Sequence, residues 1–139
     1  MKVSYTATIK QPIQKVFDVS ADPETQLKWD PGTVSVEKLT QGPLGKGSKY
    51  RGKFKGMGTV EYEFSEFKSP TGFTHSTKVP MGKMMHTFSF ESTGEGTKFT
   101  QVGEFKPNFI GWFMQPMVGS MLKKRFRAIP NEVDAYLSK

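Results

Sequence analysis

The hydrophobic pattern of this chain changes period once, near residue 108, and that change restricts the folds open to it. From Thr33 to Lys106 apolar and polar residues largely alternate with a period of two. From Phe109 to Leu137 they recur at helical spacing, through Met114, Met117, Met121, Leu122, Ile129, Val133 and Tyr136. One amphipathic helix after a run of antiparallel strands has to bury its stripe against their concave face. If the sheet curls around that helix, a cavity between them follows from the geometry.

Ahead of this region, Lys2 to Lys10 alternates as a first strand, with Val3, Tyr5, Ala7 and Ile9 on one side. Pro12 stands where a helix start tolerates proline, and Ile13, Val16 and Phe17 give a short helix its apolar face. Asp22-Pro23-Glu24 reads as a second helix start with Asp22 as the cap, and Trp29-Asp30-Pro31-Gly32 as the turn that ends it. Six strands are predicted next, over 33–40, 46–55, 59–68, 72–79, 84–92 and 96–106, joined by short connections as in a meander of hairpins. A turn through Gly56-Met57-Gly58 would set Lys53 opposite Glu61 and Arg51 opposite Glu63. The basic stripe Lys49, Arg51, Lys53 and Lys55 then reads as a partly neutralised outer face.

Composition removes several classes of function. A chain of 139 residues holds one domain with a real core, and no repeat or linker divides 1–139. No apolar run approaches the roughly 20 residues needed to span a bilayer. No secretory signal is visible, so the expected location is cytoplasmic. Zero cysteines exclude disulfides, thiolate metal sites and cysteine nucleophiles. Twenty basic against thirteen acidic residues, a net charge of +7, favour loose attraction to nucleic acid or anionic membrane. Eight methionines point to a surface that fits varied apolar shapes.

The order strand, two short helices, six-strand meander and long helix is that of a helix-grip domain. Gln11-Pro12-Ile13-Gln14-Lys15-Val16-Phe17 follows the first strand, Trp29-Asp30-Pro31 precedes the second, and Gly96-Thr97-Lys98-Phe99-Thr100 opens the last. On these pieces the chain resembles the START-like (SRPBCC) superfamily, in particular its small polyketide cyclase/dehydrase-like members and those similar to the G component of carbon monoxide dehydrogenase. The resemblance implies an α+β fold in which a curved, seven-stranded antiparallel sheet (β-α-α-β6-α) wraps a long C-terminal helix. It also implies a hydrophobic cavity between sheet and helix, used across the superfamily for lipids, sterols, polyketides or aromatic compounds. No family-wide catalytic motif and no cofactor come with it. Pro130 departs from the unbroken helix of related chains and is expected to kink or interrupt it between Arg127 and Glu132.

Strand parity and helix spacing then name the expected cavity residues. These are Tyr50, Phe54, Tyr62, Phe64, His75, Thr77, His86, Phe88, Phe90, Phe99 and Gln101 from the sheet, and Phe113, Met117 and Met121 from the helix. Phe126 is a further candidate, and Arg125 is expected to extend its head to solvent. The two histidines have the side chains whose ordinary pKa lies nearest neutrality. As cross-strand neighbours they either anchor a polar group of a ligand or form a buried pair satisfied by Thr77, Tyr62 or water. No carboxylate shares the inward face, so no metal site is expected, and no serine elbow or His–Asp pairing supports nucleophilic catalysis.

Alternate turns of a meander lie at one end, so Met57, Met81, Phe109 and Trp112 form the expected rim, beside Lys55, Lys83 and Lys106. That rim is either a lid over the cavity or a surface for transient contact with an anionic membrane. Nucleic acid is a poorer partner, because exposed aromatics do not interleave with Arg or Lys on one face. The expected function is binding or carrying a small hydrophobic ligand, whether lipid, polyketide or aromatic compound. The alternative is a polyketide cyclase/dehydrase-type enzyme using His75, His86 or Tyr62 as acid–base groups in the same cavity.

Overall fold

The computed structural model describes residues 1–139. Their elements run β1 (Lys2–Ile9), α1 (Ile13–Ala21), α2 (Pro23–Trp29), β2 (Thr33–Lys38), β3 (Lys49–Phe54), β4 (Gly58–Lys68), β5 (Gly72–Val79), β6 (Gly82–Thr93), β7 (Gly96–Pro107), α3 (Phe109–Trp112) and α4 (Gln115–Leu137). The seven strands make one antiparallel sheet in the order β1-β7-β6-β5-β4-β3-β2. This is the α+β helix-grip architecture read from the sequence. β2 and β3 are shorter than predicted, because the segment between them turns through Gly42 and Gly47, both at positive φ.

The two short helices start as their residues dictate. Asp22 accepts from the Glu24 N–H at 2.9 Å and Pro23 occupies the first helical position. Trp29 Nε1 donates to the Val19 carbonyl at 2.9 Å and ties α2 to α1. Along α4 the buried residues include Val118, Leu122, Phe126, Ile129 and Val133, a stripe at helical spacing laid on the sheet. Met117 and Met121 flank it and are 58% and 38% exposed.

Three local expectations are corrected. In the β3–β4 hairpin Arg51 faces Glu61 and Lys49 faces Glu63, two residues from the predicted register. Gly56 and Gly58, with φ of 83° and 79°, let the turn form one residue earlier, over Lys55-Gly56-Met57. A shift of two preserves the inward face, and Arg51 still bridges Glu37 and Glu61 at 3.2 and 3.3 Å.

The predicted single helix from Phe109 breaks before Gln115. Pro116 has no N–H for the Trp112 carbonyl, and Gln115 Nε2 donates to it instead at 3.2 Å. Pro130, in contrast, does not interrupt α4, which runs through it to Leu137. The same missing donor frees the Phe126 carbonyl, and Gln101 Nε2 fills the gap from β7 at 2.8 Å. Pro116 stands in a first turn, where proline starts helices, whereas Pro130 has intact turns on both sides.

Candidate functional site

Beneath α4 lies a cavity of about 400 Å³. That volume falls in the range of small-molecule pockets. The sheet contributes Phe54, Val60, Tyr62, His75, Thr77, Met84, His86 and Phe88, and α4 contributes Met121, Leu122, Arg125, Phe126 and Ile129. Ser20, Gln26, Trp29 and Asp30 arrive from the helices of the other layer. A second groove adjoins it through the shared Met57, Val60, Met84 and Met121, and adds Met81, Met114 and Met117. Six of the chain's eight methionines line this groove and form one apolar path to the cavity.

Of the expected cavity residues, Phe54, Tyr62, His75, Thr77, His86, Phe88 and Met121 are brought together around the space. Tyr50, Phe64, Phe90 and Phe99 do not line it; they are sealed in the aromatic core alongside Phe17 of α1. Gln101 is also fully buried, behind His86. Met117 lines only the outer groove, and Phe113 lines neither space, being 67% exposed. On the expected rim, Met57 sits at the junction of cavity and groove and Met81 lies in the groove, while Phe109 and Trp112 face solvent. The break of the helix at Pro116 is what carries Phe109, Trp112 and Phe113 away from the cavity.

His75 and His86 are direct cross-strand partners, with ring centroids 6.4 Å apart and planes perpendicular. What surface they keep faces the cavity, and protein surrounds them. Burial lowers the His75 pKa to about 4. Burial also lowers that of His86 to about 3, with His75 and Arg125 adding to the effect and the Gln101 bond opposing it. Both rings are thus neutral at neutral pH, and the expectation of titration near neutrality does not hold. Phe126 stacks on His86 at 4.5 Å and 18°. Gly103 makes room for it, since a Cβ there would lie 2.7 Å from the Phe126 ring.

The orientation of His86 follows from Pro130. The freed Phe126 carbonyl can only accept, so the amide nitrogen of Gln101 must face it. Gln101 Oε1 then faces His86 Nε2 at 3.2 Å, and the neutral imidazole carries its proton on Nε2. Three other polar atoms have no such partner. Ser20 Oγ, Tyr62 Oη and His75 Nε2 are buried without a hydrogen bond, and their residues all line the cavity. The Tyr62 and His75 rings lie 4.9 Å apart. Burial raises the Tyr62 pKa far above its usual value, so the phenol stays protonated.

Strand parity missed the carboxylate at the cavity wall, because it comes from the end of α2. Asp30 is buried, and accepts from Gly32 N–H and Thr33 Oγ1 at 2.8 Å, Gln26 Nε2 at 3.0 Å and Arg125 at 2.9 Å. Arg125 also grips Glu132 with both nitrogens, at 3.0 and 2.9 Å. It therefore clasps α2 to α4 instead of extending to solvent. The Asp30-Pro31-Gly32 turn was visible in sequence; its meeting with Arg125 was not. No three His, Cys, Asp or Glu side chains converge as metal ligands. Met84, by contrast, could have been found from the parity of His86 and Phe88.

Residues 1–137 match the family model described as polyketide cyclase / dehydrase and lipid transport. Among solved structures, Ara h 8.0201 is similar with a TM-score of 0.78 at 18% identity, covering 100% of this chain and 99% of that one. The di-domain ARO/CYC BexL of the BE-7585A biosynthetic pathway gives 0.81 at 16% identity, over 97% of this chain and 49% of its own. Protein NE0264 from Nitrosomonas europaea gives 0.74 at 13%, over 100% and 97%. At such identities the likeness is one of fold. No curated protein matches the sequence. Family and fold agree with a role in hydrophobic-ligand binding or of polyketide cyclase type. With the match running from the first strand nearly to the last residue, this chain belongs to the polyketide cyclase/dehydrase and lipid transport family.

Proposed function

We propose that the chain binds and carries a small, mostly apolar molecule bearing a hydroxyl or carbonyl group. One observation carries this: three residues that line an apolar cavity, Ser20, Tyr62 and His75, hold buried polar atoms that the protein itself leaves unsatisfied. Each such atom costs about 1–3 kcal/mol when unpaired, a cost that a bound polar group removes. A ligand hydroxyl suits the site because it both donates and accepts, and so can meet Tyr62 and either tautomer of His75. The six methionines along the path supply an adaptable apolar wall. The family description, which includes lipid transport, supports the same class of ligand.

A cyclase/dehydrase-type enzyme is the second reading, favoured by a phenol and an imidazole side by side in the cavity. Efficient acid–base catalysis wants a pKa near the working pH. His75, at about 4, is a weak base, and Tyr62 holds its proton. The pair supplies hydrogen bonds more readily than proton transfers, which ranks carriage first.

Native mass spectrometry of freshly purified protein should reveal a co-purified small molecule. Substituting Tyr62→Phe should lower affinity for that molecule about tenfold, one hydrogen bond's worth. The same change should leave the empty protein equally or more stable, because it removes an unsatisfied group. Unchanged affinity in both Tyr62→Phe and His75→Leu would sink the proposed anchor.

A further inference from the structure

The end of the sheet that carries α3 bears a surface for which the cavity has no use. α3 is pinned there: Asn108 N–H donates to the Met81 carbonyl at 2.9 Å, Asn108 Nδ2 to the Pro80 carbonyl at 2.8 Å, and Gly111 N–H to Asn108 Oδ1 at 2.9 Å. Gly111 packs so closely on the Met81 backbone that any Cβ would overlap it. With glycine as the inward contact, Phe109, Ile110, Trp112 and Phe113 point out, 83%, 65%, 61% and 67% exposed. A firmly held turn thus keeps four large apolar side chains in water, the kind of patch that marks an interaction site.

Beside it runs a row of like charges. Lys78 lies directly opposite Lys83, and Lys83 opposite Lys106, on three adjacent strands just before the Pro80-Met81 turn and α3. None of the three has an acidic partner, whereas Arg51 on the far strands is held between Glu37 and Glu61. Like charges directly opposite one another destabilise a sheet, so this row calls for an anion from outside.

We propose that α3 and this lysine row dock the chain on an anionic lipid bilayer, the aromatic side chains entering the headgroup layer and the lysines meeting its charge. Contact is peripheral, since no helix is long and apolar enough to cross. The net charge of +7 adds attraction at longer range. A second copy fits poorly, because a two-fold pairing through this face would oppose one lysine row to the other. Nucleic acid has little use for Ile110. Met81 both anchors α3 and lines the groove that adjoins the cavity, which gives an apolar ligand a route from bilayer to cavity. Only this last step rests on the proposed carriage; docking stands apart from it.

The full chain, mixed with phosphatidylcholine vesicles or with vesicles containing about one-third phosphatidylserine, tests this directly. Binding is expected to the anionic vesicles only, and to weaken as salt rises. Emission should shift to the blue through Trp112, because Trp29 is already buried, and Trp112→Phe should abolish the shift. Lys83→Gln with Lys106→Gln should lower affinity by about fivefold per lysine. Phe109→Ser with Trp112→Ser should lower it at least as much. No binding, equal binding to neutral vesicles, or binding indifferent to both pairs of changes overturns the proposal. So does self-association that disappears in Phe109→Ser with Trp112→Ser. An anilinonaphthalene sulfonate probe reports the cavity of the unaltered chain. Probe retained without docking overturns docking alone, and docking retained without the probe overturns carriage alone.

Discussion

The concave face of the sheet has two ends, and the same strands supply both. At one end Phe64, Phe73, Phe90 and Phe99 are sealed under Val16 and Phe17 of α1 and Ile129 and Val133 of α4. Phe17 meets Phe67, Phe73 and Phe90 edge-on, at 5.4, 5.8 and 5.5 Å. At the other end Tyr62, His75, Thr77 and His86 continue the inward rows, with α4 above them and only Ser20 of α1 and the last turn of α2 at the margin. α1 and α4 pack closely on the first end, and thinner helix coverage leaves the second hollow. The cavity is therefore a consequence of helix coverage, and the polar side chains fall where that coverage thins.

Truncation on either side should separate the ends most sharply. Phe64→Ala removes a ring with no exposed surface and is expected to cost about 3–5 kcal/mol, measured by urea unfolding. Met121→Ala, at a wall position already 38% exposed, should cost no more than about 1 kcal/mol and alter ligand affinity instead. Equal costs at the two positions would mean that the hollow end is packed core, and the comparison would fail.

Acid should weaken the hollow end next. An unfolded histidine binds its proton near 6.5, folded His75 only near 4 and His86 near 3. Between those values the unfolded state holds more protons, so stability is full above about 6.5, falls as the pH drops, and levels off once the folded rings also charge. For His75 alone the loss is on the order of 3 kcal/mol. Unfolding free energies followed from neutral to acid pH, with His75→Leu and His86→Leu as subtractions for the carboxylates, isolate this contribution. A profile identical in wild type and variants would show that water already solvates the rings.

How much of this was legible in the sequence differs between the ends in the same way. Period-two alternation fixed which strand residues face inward, and a hairpin connection of even length made His75 and His86 partners. Parity cannot say which inward residues a helix will cover, so Tyr50, Phe64, Phe90 and Phe99 were indistinguishable from true lining residues. Asp30 and Arg125 meet across 95 positions of chain, 125 less 30, and no local pattern encodes that. At α4 the proline was visible but its partner was not. Knowing that Pro130 frees a carbonyl does not say that Gln101 will take it.

That last link yields the smallest and most specific effect. Pro130→Ala restores an N–H four residues after Phe126, and the helical bond then competes with Gln101 Nε2 for the same carbonyl. Stability should move by no more than about 1 kcal/mol, because a helix bond is gained as the packing of a buried ring is lost. The informative readout is the tautomer of His86. Loosened from the helix, Gln101 no longer presents Oε1 to Nε2 in one fixed orientation, and the share of imidazole protonated on Nε2 should fall, as seen in its ring nitrogen chemical shifts. Gln101→Leu removes the link outright and gives the limiting value. A Pro130→Ala spectrum identical to wild type, with Gln101→Leu shifted, would place the start of the relay at Gln101 and leave the proline no part in orienting the hollow end.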